Sequence, residues 1–188
     1  MRQDEWDDWA TRASGELALA LRSVAPEEID RMTDELLAAN RIVCVGSGRE
    51  GLMMRALCMR LMHHGLDAHM AGDMTTPPVG EGDLVIVSVG PGSSPVFEAL
   101  MARVRAAGAR VMAVTAQPAG TTPRASDVVI YLPAQTMAND AGGGESMLPM
   151  GTAFEWLELT FFDLVALRLR ERTGQSFDEV RARHTNVE

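Results

Sequence analysis

Cysteine is scarce in this chain of 188 residues, where Cys44 and Cys58 are the two present. Both sit in apolar segments without a Cys-x-x-Cys spacing, which argues against a disulfide or thiolate metal site and for buried, reduced thiols. Long apolar runs are also missing. None approaches the stretch of about 20 residues that spans a bilayer, and the N-terminal segment carries charges and two tryptophans instead of an apolar signal core. A soluble, cytoplasmic protein is expected, with no membrane partner. Positive charge is in deficit, with 17 Lys and Arg against 26 Asp and Glu and a formal net charge of −9. Nucleic acids and anionic membrane surfaces would not be drawn to such a protein, so small molecules remain as ligands. The length leaves no room for two generous domains, and one domain over residues 1–188 with a sizeable core is expected.

Along the chain the hydrophobic period switches repeatedly. Trp6, Ala10, Ala13, Leu17, Leu21 and Val24 recur at helical spacing, and Pro26 opens a second helix carrying Ile29, Met32 and Leu36. After these two leading helices come five short apolar runs, Ile42 to Val45, Leu66 to Met70, Leu84 to Val87, Val111 to Val114 and Val128 to Leu132, with helical segments between them. Solidly apolar strands of this kind belong to a parallel sheet covered on both faces, an α/β fold with the flavodoxin-like strand order 2-1-3-4-5. A long helix is expected from Thr152 to Arg172, ending at Gly174, with Ser176 and Glu179 as the capping box of a short terminal helix. The loop around Gly142, Gly143 and Gly144 is expected to be mobile. The methionines Met53, Met54, Met59 and Met62 read as core filler. Trp6 and Trp9 of the leading helix and Phe154, Trp156, Phe161 and Phe162 of the long one offer more apolar surface than one sheet needs to cover, some of it expected to pack between subunits.

Two glycine-rich loops leave the carboxyl ends of the first and third strands: Gly46-Ser47-Gly48-Arg49-Glu50-Gly51 and Gly90-Pro91-Gly92-Ser93-Ser94. In the expected strand order these ends are neighbours at the point where the chain's progression reverses, so both loops should face one pocket. Each opens a helix whose free N–H groups attract an anion, with phosphate the obvious guest. The first loop also matches Gly-x-Gly-x-x-Gly, but Asp73 comes late for the acidic residue of a dinucleotide site, and little chain is left for a substrate domain. No cofactor and no metal are expected. Further on, Leu148-Pro149-Met150-Gly151-Thr152-Ala153-Phe154-Glu155 sets a turn, a helix start and a carboxylate side by side. A carboxylate in a first helical turn is favoured by the dipole alone, by a few tenths to about 1 kcal/mol.

These segments carry a resemblance. The chain resembles the sugar isomerase (SIS) domain family, and within it the 6-phospho-3-hexuloisomerases, from about Arg41 to Glu188. The most specific parts are Met59-Arg60-Leu61-Met62-His63, the segment Leu148 to Glu155, and the closing Arg183-His184 with Asn186. The resemblance implies a five-stranded parallel sheet flanked by helices and a homo-oligomer, dimer or tetramer, with sites shared between subunits. It also implies interconversion of 3-hexulose 6-phosphate and fructose 6-phosphate without a cofactor. Glu155 would be the base of a cis-enediol mechanism. His184, near the chain end and able to reach a neighbour's pocket, would move protons between oxygens or open the ring. Gly46, Ser47, Gly48, Arg49, Glu50, Gly90, Gly92, Ser93, Ser94 and Thr152 would bind the substrate. His63 and His64 read as a polar helix end.

Three positions depart from the family pattern. Glu50 stands where the family's Gly-x-Gly-Arg-Ser-Gly has serine, and Val89 and Pro91 replace two serines of Ser-Gly-Ser-Gly-x-Thr, leaving Ser94 at a hydroxyl position. Like charges about 4 Å apart repel by about 4 kcal/mol at an effective dielectric of about 20, so an inward Glu50 opposes a phosphate unless Arg49 offsets it. Glu50 can turn outward, or lie on the helix N-terminus as a resident anion. Two other functions stay open on this account: the same chemistry on an unphosphorylated or differently charged sugar, and a noncatalytic sugar-phosphate-binding module.

Overall fold

Side chains alternate across the three central strands of the sheet, so each of these contributes to two different cores. Ile42 and Cys44 join Ile86, Met112, Val114 and Ile130 in one buried cluster, while Val43 and Val45 join Val85, Val87, Val111 and Ala113 in another. A sheet with both faces apolar must be covered twice. The structure, a computed structural model, describes residues 1–140 and 146–187, and the loop around Gly142, Gly143 and Gly144 lies outside the described residues.

The chain begins with α1 (Gln3–Ser23) and α2 (Glu27–Ala38) and continues through β1 (Ile42–Val45), α3 (Gly48–His63), β2 (Ala68–Met70), β3 (Leu84–Ser88), α4 (Pro95–Ala106), β4 (Arg110–Thr115), α5 (Thr121–Arg124) and β5 (Val128–Tyr131), and between β2 and β3 residues 71–83 form turns in place of the expected helix. It closes with α6 (Thr152–Thr173) and α7 (Phe177–Arg181). The five strands form an all-parallel sheet in the order β2-β1-β3-β4-β5. That is the expected topology, with β1 and β3 paired and their carboxyl ends adjacent. One face is covered by α2, α3 and α6 through Leu36, Met54, Leu57, Leu61, Leu157 and Phe161, the other by α4 through Phe97, Met101 and Val104.

Two expectations need adjustment. The second strand starts at Ala68 because Leu66 is still in the turn after α3, its N–H bonded to the Leu61 carbonyl. The aromatics of α6, read from the sequence as surplus apolar surface, are mostly core: Phe154, Phe161 and Phe162 are buried, and Trp156 alone among them is exposed. The reason is the position of α6, which packs against α1, α2 and α3 as well as sharing the core cluster of the sheet. Truncating such a phenylalanine would cost about 3–5 kcal/mol. Gly174 ends α6 in the left-handed conformation, and Ser176 and Glu179 form the capping box of α7.

Candidate active site

The first loop turns as tightly as it does because two of its glycines touch. A Cβ on Gly51 would lie 2.8 Å from the Gly46 carbonyl oxygen, and one on Gly46 would lie 2.9 Å from Gly51 Cα. Only glycine at both positions lets α3 start directly against the end of β1. Gly48, at φ +55°, makes the turn into the helix. Ser47 is the N-cap residue but its side chain makes no capping bond, so it leaves the first-turn N–H groups of α3 uncapped.

The second loop is tied to α5. Ser94 caps α4 by accepting from the Phe97 N–H at 3.4 Å, and its own N–H donates to Thr122 Oγ1 at 3.0 Å. Ser93 Oγ accepts from the Thr121 N–H at 3.3 Å and from Thr121 Oγ1 at 2.9 Å. Gly92, at φ +83°, sits so close beneath Gly120 that a Cβ on Gly120 would lie 2.0 Å from its carbonyl oxygen.

Both loops open on one cavity of about 350 Å³, as expected from the strand order. Ser47, Gly48, Arg49 and Glu50 line it from the first loop, Ser93 and Ser94 from the second, and Thr152 and Glu155 from the head of α6. Gly46, Gly90 and Gly92 shape the loops from behind. Ser88, Phe97, Met137 and Met150 also line the cavity and were not singled out from the sequence. Ser88 had a signal, as the one hydroxyl at the end of the apolar strand Leu84 to Val87. Met150 is the one non-glycine among the described residues with positive φ, at +53°, a conformation that costs about 1–2 kcal/mol per residue. Its carbonyl accepts from Gln135 Nε2 at 3.3 Å. The turn it makes, followed by Gly151 at the N-cap, delivers Glu155 to the cavity in the first turn of α6.

Glu155 is buried and ion-paired to the half-exposed Arg49 guanidinium, which joins the heads of α6 and α3 across the cavity. Glu50 does neither of the things that the sequence left open. Its Oε2 accepts from Ser88 Oγ at 2.7 Å and from the Gly90 N–H at 2.9 Å, so its carboxyl reaches across to the second loop and takes up a donor there. Burial raises its pKa above the usual carboxylate value, and the charge of Glu155 adds to this, against the two hydrogen bonds. One turn beyond Glu155 on the same helix lies Glu158, fully buried, with no hydrogen-bond partner on either oxygen among the described residues. Burial drives its pKa well up, with Glu50 and Glu155 adding to the effect while the nearby Ser88 hydroxyl opposes it. Burial thus favours the protonated form of Glu158, beneath the site. The spacing of three from Glu155 was legible, but its role was not. Among the described residues no group of three or more His, Cys, Asp or Glu side chains could hold a metal ion.

His184 is not in this cavity. Arg183 Nη1 donates to the His63 carbonyl at 3.1 Å, to the Glu179 carbonyl at 3.2 Å and to Gln175 Oε1 at 3.1 Å, clamping the tail to the C-terminal end of α3. The His184 ring stacks on His63 with centroids 5.3 Å apart. Arg49 sits at the opposite end of the same helix, which at 1.5 Å per residue puts about 20 Å between them. His63, read from the sequence as a polar helix end, is buried.

Residues 35–157 match the SIS domain family. The 3-hexulose-6-phosphate isomerase of Bacillus subtilis (strain 168) is 33% identical over 181 residues, covering 96% of this chain and 98% of the relative. A solved structure from Methanococcus jannaschii, for which a function of 3-hexulose-6-phosphate isomerase is inferred, has 27% identity and a TM-score of 0.82, covering 96% of this chain and 99% of its own. A phosphoheptose isomerase from Francisella tularensis superposes with a TM-score of 0.69 at 12% identity, covering 91% of this chain and 100% of its own, a likeness of fold. The match runs from the end of α2, through both loops and the whole sheet, to the first turns of α6 that carry Glu155, and the chain belongs to the SIS domain family.

Proposed function

We propose that the protein is a sugar phosphate isomerase that interconverts 3-hexulose 6-phosphate and fructose 6-phosphate through a cis-enediol. The observation that carries this is Glu155, a buried carboxylate at a cavity between two glycine loops, large enough for a sugar. It lies in a chain aligned almost end to end with a 3-hexulose-6-phosphate isomerase. Glu155 removes the proton from the carbon beside the carbonyl and returns it to the neighbouring carbon. A carboxylate at one fixed position serves both because the enediol is planar and the two carbons adjoin. Arg49 holds the carboxylate in place, and Ser47, Gly48, Ser93, Ser94 and Thr152 hold the sugar. No organic cofactor is required, since the two carbons exchange oxidation states within one molecule.

His184 acts in a neighbouring subunit's cavity, moving protons to open the sugar ring. Its distance from its own cavity supports this, as does the apolar surface on α3 and α6, where Leu52, Met59, Trp156, Leu164 and Leu167 are exposed. Such a surface suits burial between copies of the chain, in a dimer or tetramer. The reduced core thiols and the phosphosugar substrate fit a cytoplasmic enzyme. A second reading, the same isomerisation on an unphosphorylated sugar, is favoured by one observation: the Glu50 carboxyl already occupies the Gly90 N–H of the second loop. Assays on fructose 6-phosphate and on fructose side by side test both. Turnover of the phosphorylated sugar alone supports the first, turnover of the free sugar alone supports the second, and turnover of neither refutes the isomerase.

A further inference from the structure

Three carboxyl groups meet beneath the two loops, and among the described residues Glu155 is the one with an ion pair. Glu50 from the first turn of α3 and Glu158 from α6 face it without a cation of their own. The charge of Glu155 raises the pKa of both Glu50 and Glu158, on top of the effect of burial. Glu158 is closed off from the cavity, being fully buried. Glu50 is not, since it lines the cavity.

The hydrogen bonds of Glu50 also fix where a proton would sit. Ser88 Oγ and the Gly90 N–H both donate to Oε2. A proton on this carboxyl is thereby directed to Oε1, which makes no hydrogen bond among the described residues and lies over Gly90, 3.0 Å from where a Cβ would be. Glycine at position 90 leaves that oxygen clear. The groups around the carboxyl are then Ser88 and Gly90 from the end of β3 and its loop, Glu155 and Glu158 from α6, and Arg49 engaged with Glu155.

We propose that Glu50 is a catalytic residue, the acid and base that serves the substrate's oxygens while Glu155 serves its carbons. The assignment rests on the isomerase reading. As the Glu155 carboxylate takes the proton from the carbon beside the carbonyl, the C–H electron pair becomes the C=C bond of the enediol. The π pair of the carbonyl moves onto oxygen and binds the proton given up by Glu50 Oε1. In the second half, Glu50 takes the proton from the other enediol hydroxyl, that oxygen becomes the new carbonyl, and Glu155 returns its proton to the carbon that was the carbonyl carbon. Both carboxyls end as they began, and nothing else is consumed.

The test uses the full chain and fructose 6-phosphate, with Glu50→Gln, Glu50→Ser and Glu155→Gln compared with the unsubstituted protein over a range of pH. Glu50→Gln keeps the size and the acceptor oxygen but cannot transfer a proton, and kcat should fall by about 100 to 10,000-fold while KM changes little. The alkaline limb of the kcat profile, set by loss of the Glu50 proton, should vanish with it. Glu50→Ser separates catalysis from binding, since it removes a carboxyl and adds a hydroxyl: KM should fall and kcat should fall with it. If Glu50 merely obstructs a phosphate, kcat/KM in Glu50→Ser rises with kcat unchanged, and the assignment is overturned. An active unsubstituted protein with wild-type kcat in both Glu50 variants overturns the assignment alone. An inactive unsubstituted protein, with no exchange of carbon-bound hydrogen that Glu155→Gln abolishes, overturns the isomerase reading and this assignment together. Should Glu50→Gln fail to fold, Glu50→Ser carries the same decision.

Discussion

Replacing Glu158 with leucine should stabilise the protein, and by more as the pH rises. Glu158 is fully buried, neither of its oxygens has a hydrogen-bond partner among the described residues, and burial holds its pKa well above the ordinary carboxylate value. The sign follows from proton binding. Below the unfolded-state value both states carry the proton and the group is neutral in the balance. Above it the unfolded chain releases the proton while the folded chain keeps it, so stability is lost with rising pH until the folded group itself ionises. The slope is about 1.4 kcal/mol for each pH unit in that window. Leucine removes the ionisable group and the unpaired polar atoms at once, which themselves cost about 1–3 kcal/mol. Urea unfolding of both proteins at pH 5, 6, 7 and 8 reads the difference directly. The gap between them should widen by up to about 1.4 kcal/mol per unit, with the m-value unchanged. Parallel curves, or a variant that is uniformly less stable, would refute the reasoning and place a partner beside Glu158.

Gly51→Ala should destabilise by about 1–3 kcal/mol, because the new Cβ would lie 2.8 Å from the backbone oxygen of Gly46, which cannot swing aside as a side chain could; the urea midpoint checks it, and an unchanged midpoint contradicts the packing described for the first loop. Sedimentation at micromolar concentration should find a dimer or tetramer, and Leu167→Glu on the exposed face of α6 should shift it toward monomer, whereas a monomeric unsubstituted protein removes the shared-site arrangement. Mixed and allowed to exchange subunits, Glu155→Gln and His184→Ala proteins should recover activity that neither has alone, and no recovery despite exchange would place both residues in one chain's site or remove His184 from it.

Much of the fold was legible because strands and helices here announce themselves locally. Ile42 to Val45 and Leu84 to Val87 are too short and too apolar for anything but buried strands, and the helices between them leave a parallel sheet as the natural solution. The paired loops were legible for a related reason, since Gly46 and Gly51 are required by a contact between residues five apart. What resisted reading was non-local. Phe161 and Phe162 looked like surplus because α6 is apolar nearly all round, and the sequence does not say that α1, α2 and α3 all pack against it. Glu158 interrupts the same apolar run, and nothing local says that it turns toward Ser88 at the end of β3 and toward Glu50. The orientation of Glu50 depends on a backbone N–H 40 residues further along the chain, at Gly90, and on a serine displaced to position 88. Arg183 and His184 were legible as a motif, yet their anchoring on the end of α3, about 20 Å from the cavity, follows from where α7 docks.

The central claim is that Glu155 moves a proton between adjacent carbons of a sugar. Incubation with fructose 6-phosphate in deuterated water, followed by mass spectrometry and NMR of the recovered sugars, tests it most directly. The unsubstituted protein should place solvent deuterium on the carbon that gains hydrogen, and Glu155→Gln, folded and still binding the sugar, should slow that incorporation by about 100 to 10,000-fold. Incorporation at the wild-type rate in Glu155→Gln would contradict the account.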